Sequence, residues 1–216
     1  MQTYVSRNVW SLGLLLVAIA TLPSQSWASP LATGALLLPA GTVVMTVPDP
    51  PNVTVIPCDD LNGIVLAPDH PAPMPASQVE IIVRNSDNIP VVNAAVTVEF
   101  GASNVACPDA VYSATTDASG TAYLSLTGGG CAHQIALSGV IKANGITLRN
   151  YQNVKSPDFD GSGGDLQVNL ADLIAFTGEF LGTDPPACHD YDNSGTTDLG
   201  DLVMFSPAFV DGSHCP

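Results

Sequence analysis

Between Asn52 and Tyr151 apolar and polar residues alternate in short runs. Val53-Thr54-Val55-Ile56 and Val79-Glu80-Ile81-Ile82-Val83 are β-branched runs, which predict strands. Ala95 to Phe100 places Val96, Val98 and Phe100 on one face, the period-two pattern of a half-buried strand. Further strands are predicted over Thr121 to Leu126, Gln134 to Ile141 and Ile146 to Tyr151. Asn144-Gly145 between the last two is a hairpin signal. Asp117-Ala118-Ser119-Gly120 reads as a turn, and the four prolines from Pro68 to Pro75 read as a loop. The regular punctuation of short strands predicts an antiparallel β-sandwich, with a small barrel as the alternative.

From Ser156 the period changes. Two segments repeat at an offset of 29 residues, pairing Leu173 with Leu202, Ile174 with Val203, Phe176 with Phe205 and Phe180 with Phe209. Their apolar positions fall at helical spacing, so two short amphipathic helices are expected. Thr177-Gly178 and Ser206-Pro207 occupy matching places and are expected to stop or kink them. One such helix cannot bury its apolar side alone, whereas two related copies can bury theirs together.

The first residues carry no fold. Arg7, the apolar run Leu12 to Ala20 and Ser26-Trp27-Ala28 read as a secretory signal over 1–28, cut before Ser29. An apolar leader and a stiff Pro-Asp-Pro-Pro break fill 29–51, a sandwich is expected over 52–155, and the helical module over 156–216. No stretch after the signal is long and apolar enough for a membrane span. All 20 acids lie beyond the signal, against Arg84, Lys142, Arg149 and Lys155. Such a balance excludes nucleic acid as a partner. Residues 156–216 hold 11 acids and no Lys or Arg, so that module repels itself unless it binds cations.

Two loops there have the spacing for a hard cation. In Asp190 to Asp201, oxygen-bearing side chains fall at positions 1, 3 and 5, Gly195 at 6 and a carboxylate at 12. Its expected calcium ligands are Asp190, Asp192, Ser194, the Thr196 carbonyl and Asp201, with Asp198 acting through water or bracing the site. The other loop, from Asp158 to Asp172, is three residues longer. Its expected ligands are Asp158, Asp160, Ser162, the Gly164 carbonyl and Asp172, with the insertion bulging around Asp165-Leu166-Gln167 and Asp165 or Asn169 available to rebuild the site.

Two loops of this kind, each feeding a helix without an entering helix, resemble a type I dockerin over about residues 156–216. Ile89 to Val98 and Ala114 to Ala122 resemble bacterial immunoglobulin-like domains of the invasin and intimin kind. The resemblances imply a mainly β protein, an immunoglobulin-like sandwich followed by a small α-helical dockerin-like module binding two Ca2+. They imply an exported bacterial protein, secreted or at the cell surface, whose module docks onto a cohesin-like or other surface protein. Accessory glycan binding within a polysaccharide-degrading assembly is the second reading, and calcium serving stability alone is the third.

No catalytic constellation is expected. Glu80, Glu99 and Glu179 are the glutamates of the chain, each read as a strand or helix surface residue. Five cysteines in an exported chain predict disulfides. Cys188 with Cys215 and Cys107 with Cys131 are the expected pairs, leaving Cys58. A zinc site built from Cys188-His189 and His214-Cys215 is the rival use of those residues.

Overall fold

β-branched and alternating segments do become strands, and the loops between them carry the turn residues. The computed structural model describes residues 47–58 and 63–216. The expected signal segment and most of the leader lie outside the described residues. In chain order the elements are β1 (Thr54–Ile56), β2 (Ile64–Val65), β3 (Gln78–Ile82), β4 (Ala95–Phe100), β5 (Asn104–Ala106), β6 (Ser113–Thr115), β7 (Thr121–Ser125), β8 (Gly128–Gly130), β9 (Gly139–Ala143), β10 (Ile146–Tyr151), β11 (Val154–Lys155), α1 (Leu170–Phe180) and α2 (Leu199–Val210). The protein is mainly β, with several antiparallel sheets and two α-helices among the described residues.

Two larger sheets share one core. The first has the order β1-β3-β7 and the second β10-β9-β4-β6. Val55, Val79, Ile81, Ala122 and Leu124 from the first meet Val96, Val98, Ile141, Ala143 and Leu148 from the second. Asn144-Gly145 makes the expected hairpin. Both residues take positive φ, 49° and 80°, and Ala143 pairs with Ile146 across them. Asp117 closes the other expected turn by accepting the N–H groups of Ser119 and Thr121. The strand expected over Gln134 to Ile141 starts only at Gly139. Gln134 and Leu137 have φ of 55° and 63°, left-handed conformations that no strand accommodates.

Two small ladders carry the C-terminal segment. β11 runs parallel to β2, and β5 runs antiparallel to β8. A second core joins Val65, Ala67, Met74 and Ala76 to Val168, Phe176, Tyr191, Phe205 and Ala208. The helices therefore bury their aromatic stripe against each other and against residues 65–76. Phe176 and Phe205 stack at 4.9 Å, flanked by Phe180 on Phe176 at 5.9 Å and Phe209 on Phe205 at 5.8 Å. Neither helix stops at its breaker. α1 runs through Thr177-Gly178 to Phe180, and α2 runs through Pro207 to Val210. Pro207 is exposed, and the phenylalanines on either side hold both turns in place.

The disulfides differ from the expected pairs. Cys107 joins Cys215, and Cys131 joins Cys188. The β5–β8 register explains why. Ala106 lies opposite Gly128 and Asn104 opposite Gly130, so Cys107 and Cys131 leave the ladder at opposite ends. That puts them on the order of 10 Å apart by strand rise, beyond the roughly 7 Å between Cα atoms that a disulfide spans. Both bridges tie a strand of the β region to the C-terminal segment. They consume the sulfurs of Cys188 and Cys215, which removes the rival zinc site. Cys58 lies outside both bridges, buried, with its carbonyl accepting from the Tyr151 hydroxyl.

Candidate metal centre

Each long loop ends in a helix cap that its own acid completes. Asp198 accepts the N–H of Gly200, while Asp201 accepts the N–H of Asp198 at 2.9 Å. Asn169 and Asp172 repeat the arrangement at α1, where Asp172 accepts the N–H of Asn169 at 2.7 Å. These are reciprocal capping boxes, and they set the final carboxylate of each loop against the loop's interior.

In the loop Asp190 to Asp201 three carboxylates converge. Asp190, Asp192 and Asp201 offer oxygens that all lie within 4.8 Å of one another. Calcium takes oxygens at about 2.3–2.6 Å, so oxygens of one shell stand no more than about 5 Å apart. The three residues fit that shell. Asp190 folds the chain around itself, accepting the N–H groups of Ser194 at 2.9 Å and Gly195 at 3.1 Å. Asp201 accepts from Tyr191 at 2.6 Å and Asp192 at 3.3 Å. Ser194 Oγ donates to the Thr196 carbonyl at 3.0 Å, so these two expected ligands lie side by side. Asp198 is the helix cap.

Hydrogen bonds fix the register of the longer loop. Asp158 accepts the N–H groups of Asp165 at 3.0 Å and Leu166 at 2.8 Å. These are the counterparts of Ser194 and Gly195. Leu166 takes φ of 68° where Gly195 takes 89°. The three extra residues therefore lie between Asp160 and Asp165, earlier than the sequence spacing places them. Asp165 takes the fifth position instead of Ser162, and Gln167 the seventh instead of Gly164. Gln167 N–H donates to Asp165 as Thr196 N–H does to Ser194. Ser162 instead closes a turn on Asp160, donating its N–H at 2.8 Å and its hydroxyl at 2.7 Å. Among the described residues no second set of three His, Cys, Asp or Glu side chains converges as closely as Asp190, Asp192 and Asp201.

The β region shapes both loops. A Cβ at Gly129 would collide with Asp158 Oδ2, and one at Gly164 with the backbone of Gly129 and Gly130, so three consecutive small residues in β8 admit the first loop. Lys155, the last residue of β11, is buried and plugs into the second. Its ammonium donates to Asp190 Oδ2 at 2.9 Å, to Asn193 Oδ1 at 2.8 Å and to the Asp190 carbonyl.

Burial dominates the electrostatics. It pushes the Asp158 carboxyl up to about 7, although the Asp165 and Leu166 N–H groups pull it down. Asp172 and Asp201 are raised for the same reason. Burial of this kind is relieved by a proton or by a cation, and the converging acids of the second loop fit a cation. Asp160 is exposed, and the Ser162 hydroxyl and N–H lower its carboxyl.

Glu179 was expected on the surface. It is 8% exposed and faces inward, where four donors and the His189 ring converge on it. The N–H groups of Ala187, Cys188 and His189 donate at 3.0, 3.1 and 3.1 Å, Thr197 Oγ1 donates at 3.0 Å, and His189 Nδ1 lies 3.0 Å away. Burial raises its carboxyl, but the His189 hydrogen bond and charge and the backbone donors outweigh it and hold it down at about 2. Two sequence signals pointed to these residues. Lys155 is the cation nearest the all-acidic stretch, and Glu179 is a lone glutamate where the second repeat has Ala208.

No family model matches the chain, and no curated protein matches it. Two solved chains overlay weakly. Both come from type II cohesin–X–dockerin complexes of Acetivibrio cellulolyticus, one a C-terminal and one an N-terminal interface mutant. The first is 20% identical with a TM-score of 0.26, covering 76% of this chain and 97% of that one. The second is 18% identical with a TM-score of 0.25, covering 74% and 97%. Overlap at that level carries no argument about fold or function.

Proposed function

We propose that this is an exported, non-catalytic protein whose immunoglobulin-like sandwich carries a dockerin-like, calcium-dependent docking module. The convergence of Asp190, Asp192 and Asp201 within 4.8 Å carries the reading. Calcium at that loop is held by the three carboxylates with Ser194 and the Thr196 carbonyl. The longer loop offers Asp158, Asp165, the Gln167 carbonyl and Asp172, with Asp160 at its rim. Calcium supplies positive charge to acids that burial otherwise disfavours, and it locks the first turn of each helix through Asp172 and Asp201.

The docking face is the outer side of the two helices. Leu170, Ile174 and Leu181 are exposed on α1, and their counterparts Leu199, Val203 and Val210 are exposed on α2. The same apolar triplet is thus presented twice, next to acidic loops, which suits a protein partner with an apolar patch and a basic rim. Two disulfides support an oxidising compartment outside the cytosol. No described helix is long and apolar enough to cross a membrane.

Calcium titration of the chain from Ser29 onward by calorimetry, starting from chelator-treated protein, tests the reading. Binding of calcium, abolished at the second loop by Asp190→Ala, supports it. Absence of binding at millimolar calcium overturns it.

One observation favours a second reading in which calcium serves stability alone: the helices share a core with Val65, Ala67, Met74 and Ala76. Replacing Ile174 and Val203 by Asp discriminates. A docking role predicts lost partner capture at unchanged melting temperature, and a purely structural role predicts no binding partner to lose.

A further inference from the structure

We infer that Glu179 is a positioning residue that couples the two cation sites, so that occupancy of the first loop sets the affinity of the second. The inference rests on the calcium reading above and adds a connection between its two sites.

Glu179 belongs to α1, the helix that the first loop closes. Asp172, the last ligand of that loop, is the third helical residue and the acid of the helix's capping box, seven residues before Glu179. Seven residues are close to two turns, so both carboxylates lie on one face of a single rigid element, and both are buried. The Glu179 carboxylate then holds the second loop at both ends. Ala187, Cys188 and His189 form the chain entering Asp190, and all three donate their N–H groups to it. Thr197, at the eighth position of that loop and just before the Asp198 cap, donates its hydroxyl. Pulling Asp172 toward a cation in the first loop therefore moves the acceptor on which the second loop hangs.

The return connection is built differently. The counterpart of Glu179 on α2 is Ala208, which offers no acceptor. The first loop is hydrogen-bonded to the segment after α2 through main chain, Val168 N–H donating to the Ser213 carbonyl at 2.7 Å and Gln167 pairing with His214, while the Val168 side chain joins the core. The polar path from α1 to the second loop thus runs through one carboxylate, beside the apolar packing of Phe176 on His189 and Phe205, and the carboxylate can be removed by one substitution. Coupling between sites is reciprocal whatever the path, so removing it weakens the influence of each site on the other.

The test is a cycle of calcium titrations on the chain from Ser29 onward. Second-loop affinity is measured by calorimetry with the first loop intact and with the first loop disabled by Asp158→Asn, whose ratio is the coupling. The ratio is then measured again in Glu179→Gln and in Thr197→Val. Thr197→Val removes one donor, leaves the rest of the carboxylate's partners in place and serves if Glu179→Gln fails to fold. We expect second-loop affinity to fall about fivefold or more when the first loop is disabled in the parent protein, and less than about twofold in the variants. A coupling ratio that survives in the variants overturns the inference, even where their melting temperature falls in calcium and chelator alike, because that pattern belongs to a purely structural carboxylate. A parent ratio near one also overturns it while leaving two independent calcium sites. Absence of calcium heat in the parent protein overturns the calcium reading itself.

Discussion

Single residues decide how far the acids of the second loop depend on the proposed cation. Lys155 places a positive charge on Asp190 by donating to its Oδ2 at 2.9 Å, so one of the three acids has a partner within the chain. Replacing Lys155 by Met leaves the buried Asp190 carboxylate without its partner, a loss of about 3 kcal/mol by the usual cost of breaking a buried pair. The loss should be larger in chelator than in calcium, since the cation then supplies the missing charge. Urea unfolding in the two conditions checks this, and equal losses would remove Lys155 from the account of the site.

Glu179 carries a pH signature whose sign follows from its lowered carboxyl. Its ordinary value is near 4.5 and its folded value about 2. The folded state therefore binds fewer protons between those values, and stability rises with pH across the window. Its contribution is complete above about 4.5 and disappears as pH falls through about 2. Melting temperatures of the parent protein should fall across that window more steeply than those of Glu179→Gln. Parallel profiles would show that the carboxylate is not held as described.

At the scale of elements, the helices separate buried from presented apolar side chains. Phe176 lies in the second core at 4.9 Å from Phe205, whereas Ile174, two residues earlier, is exposed. Phe176→Ala should cost about 3–5 kcal/mol in urea unfolding, and Ile174→Ala within about 0.5 kcal/mol. Comparable costs would mean that the exposed stripe is packed in solution.

Strand identity was legible where β-branched residues alternate, as in Val79 to Ile82 and Ala95 to Phe100, because period two is a local property. The short strands β2, β5, β8 and β11 were not. Gly128-Gly129-Gly130 has no strand preference, and its pairing with Asn104 to Ala106 comes from what it must accommodate, the first loop pressed against it. The helix breakers misled for a related reason. Thr177-Gly178 and Pro207 weaken isolated helices, but the stacked phenylalanines supply more than the local backbone loses. In the second loop, the convergence of Asp190, Asp192 and Asp201 was legible from spacing alone. The place of the three-residue insertion was not, because it depends on which N–H groups reach Asp158.

At the scale of the whole molecule, the C-terminal segment is not a bead on a string. Cys107–Cys215 and Cys131–Cys188 enclose sequence separations of 108 and 57 residues, and both cross from the β region to the loops and helices. Such long closures each restrict the unfolded chain by roughly 4 kcal/mol in the chain-entropy account. The second core crosses the same boundary, since Val65, Ala67, Met74 and Ala76 are covered by the helices. Nothing in the spacing of five cysteines fixes such a pairing. The antiparallel β5–β8 ladder excludes Cys107 with Cys131, by sending them in opposite directions. A shared core makes unfolding cooperative across both regions. Calcium that binds the folded loops alone stabilises by mass action, about 2.7 kcal/mol per site at 100 times the dissociation constant. The described chain should therefore melt in one transition, and chelator should lower that transition as a whole. Scanning calorimetry with and without chelator checks it. A chelator-sensitive transition that separates from a chelator-insensitive one would mean that the loops and helices unfold independently, and that the bridges tether two bodies instead of uniting one.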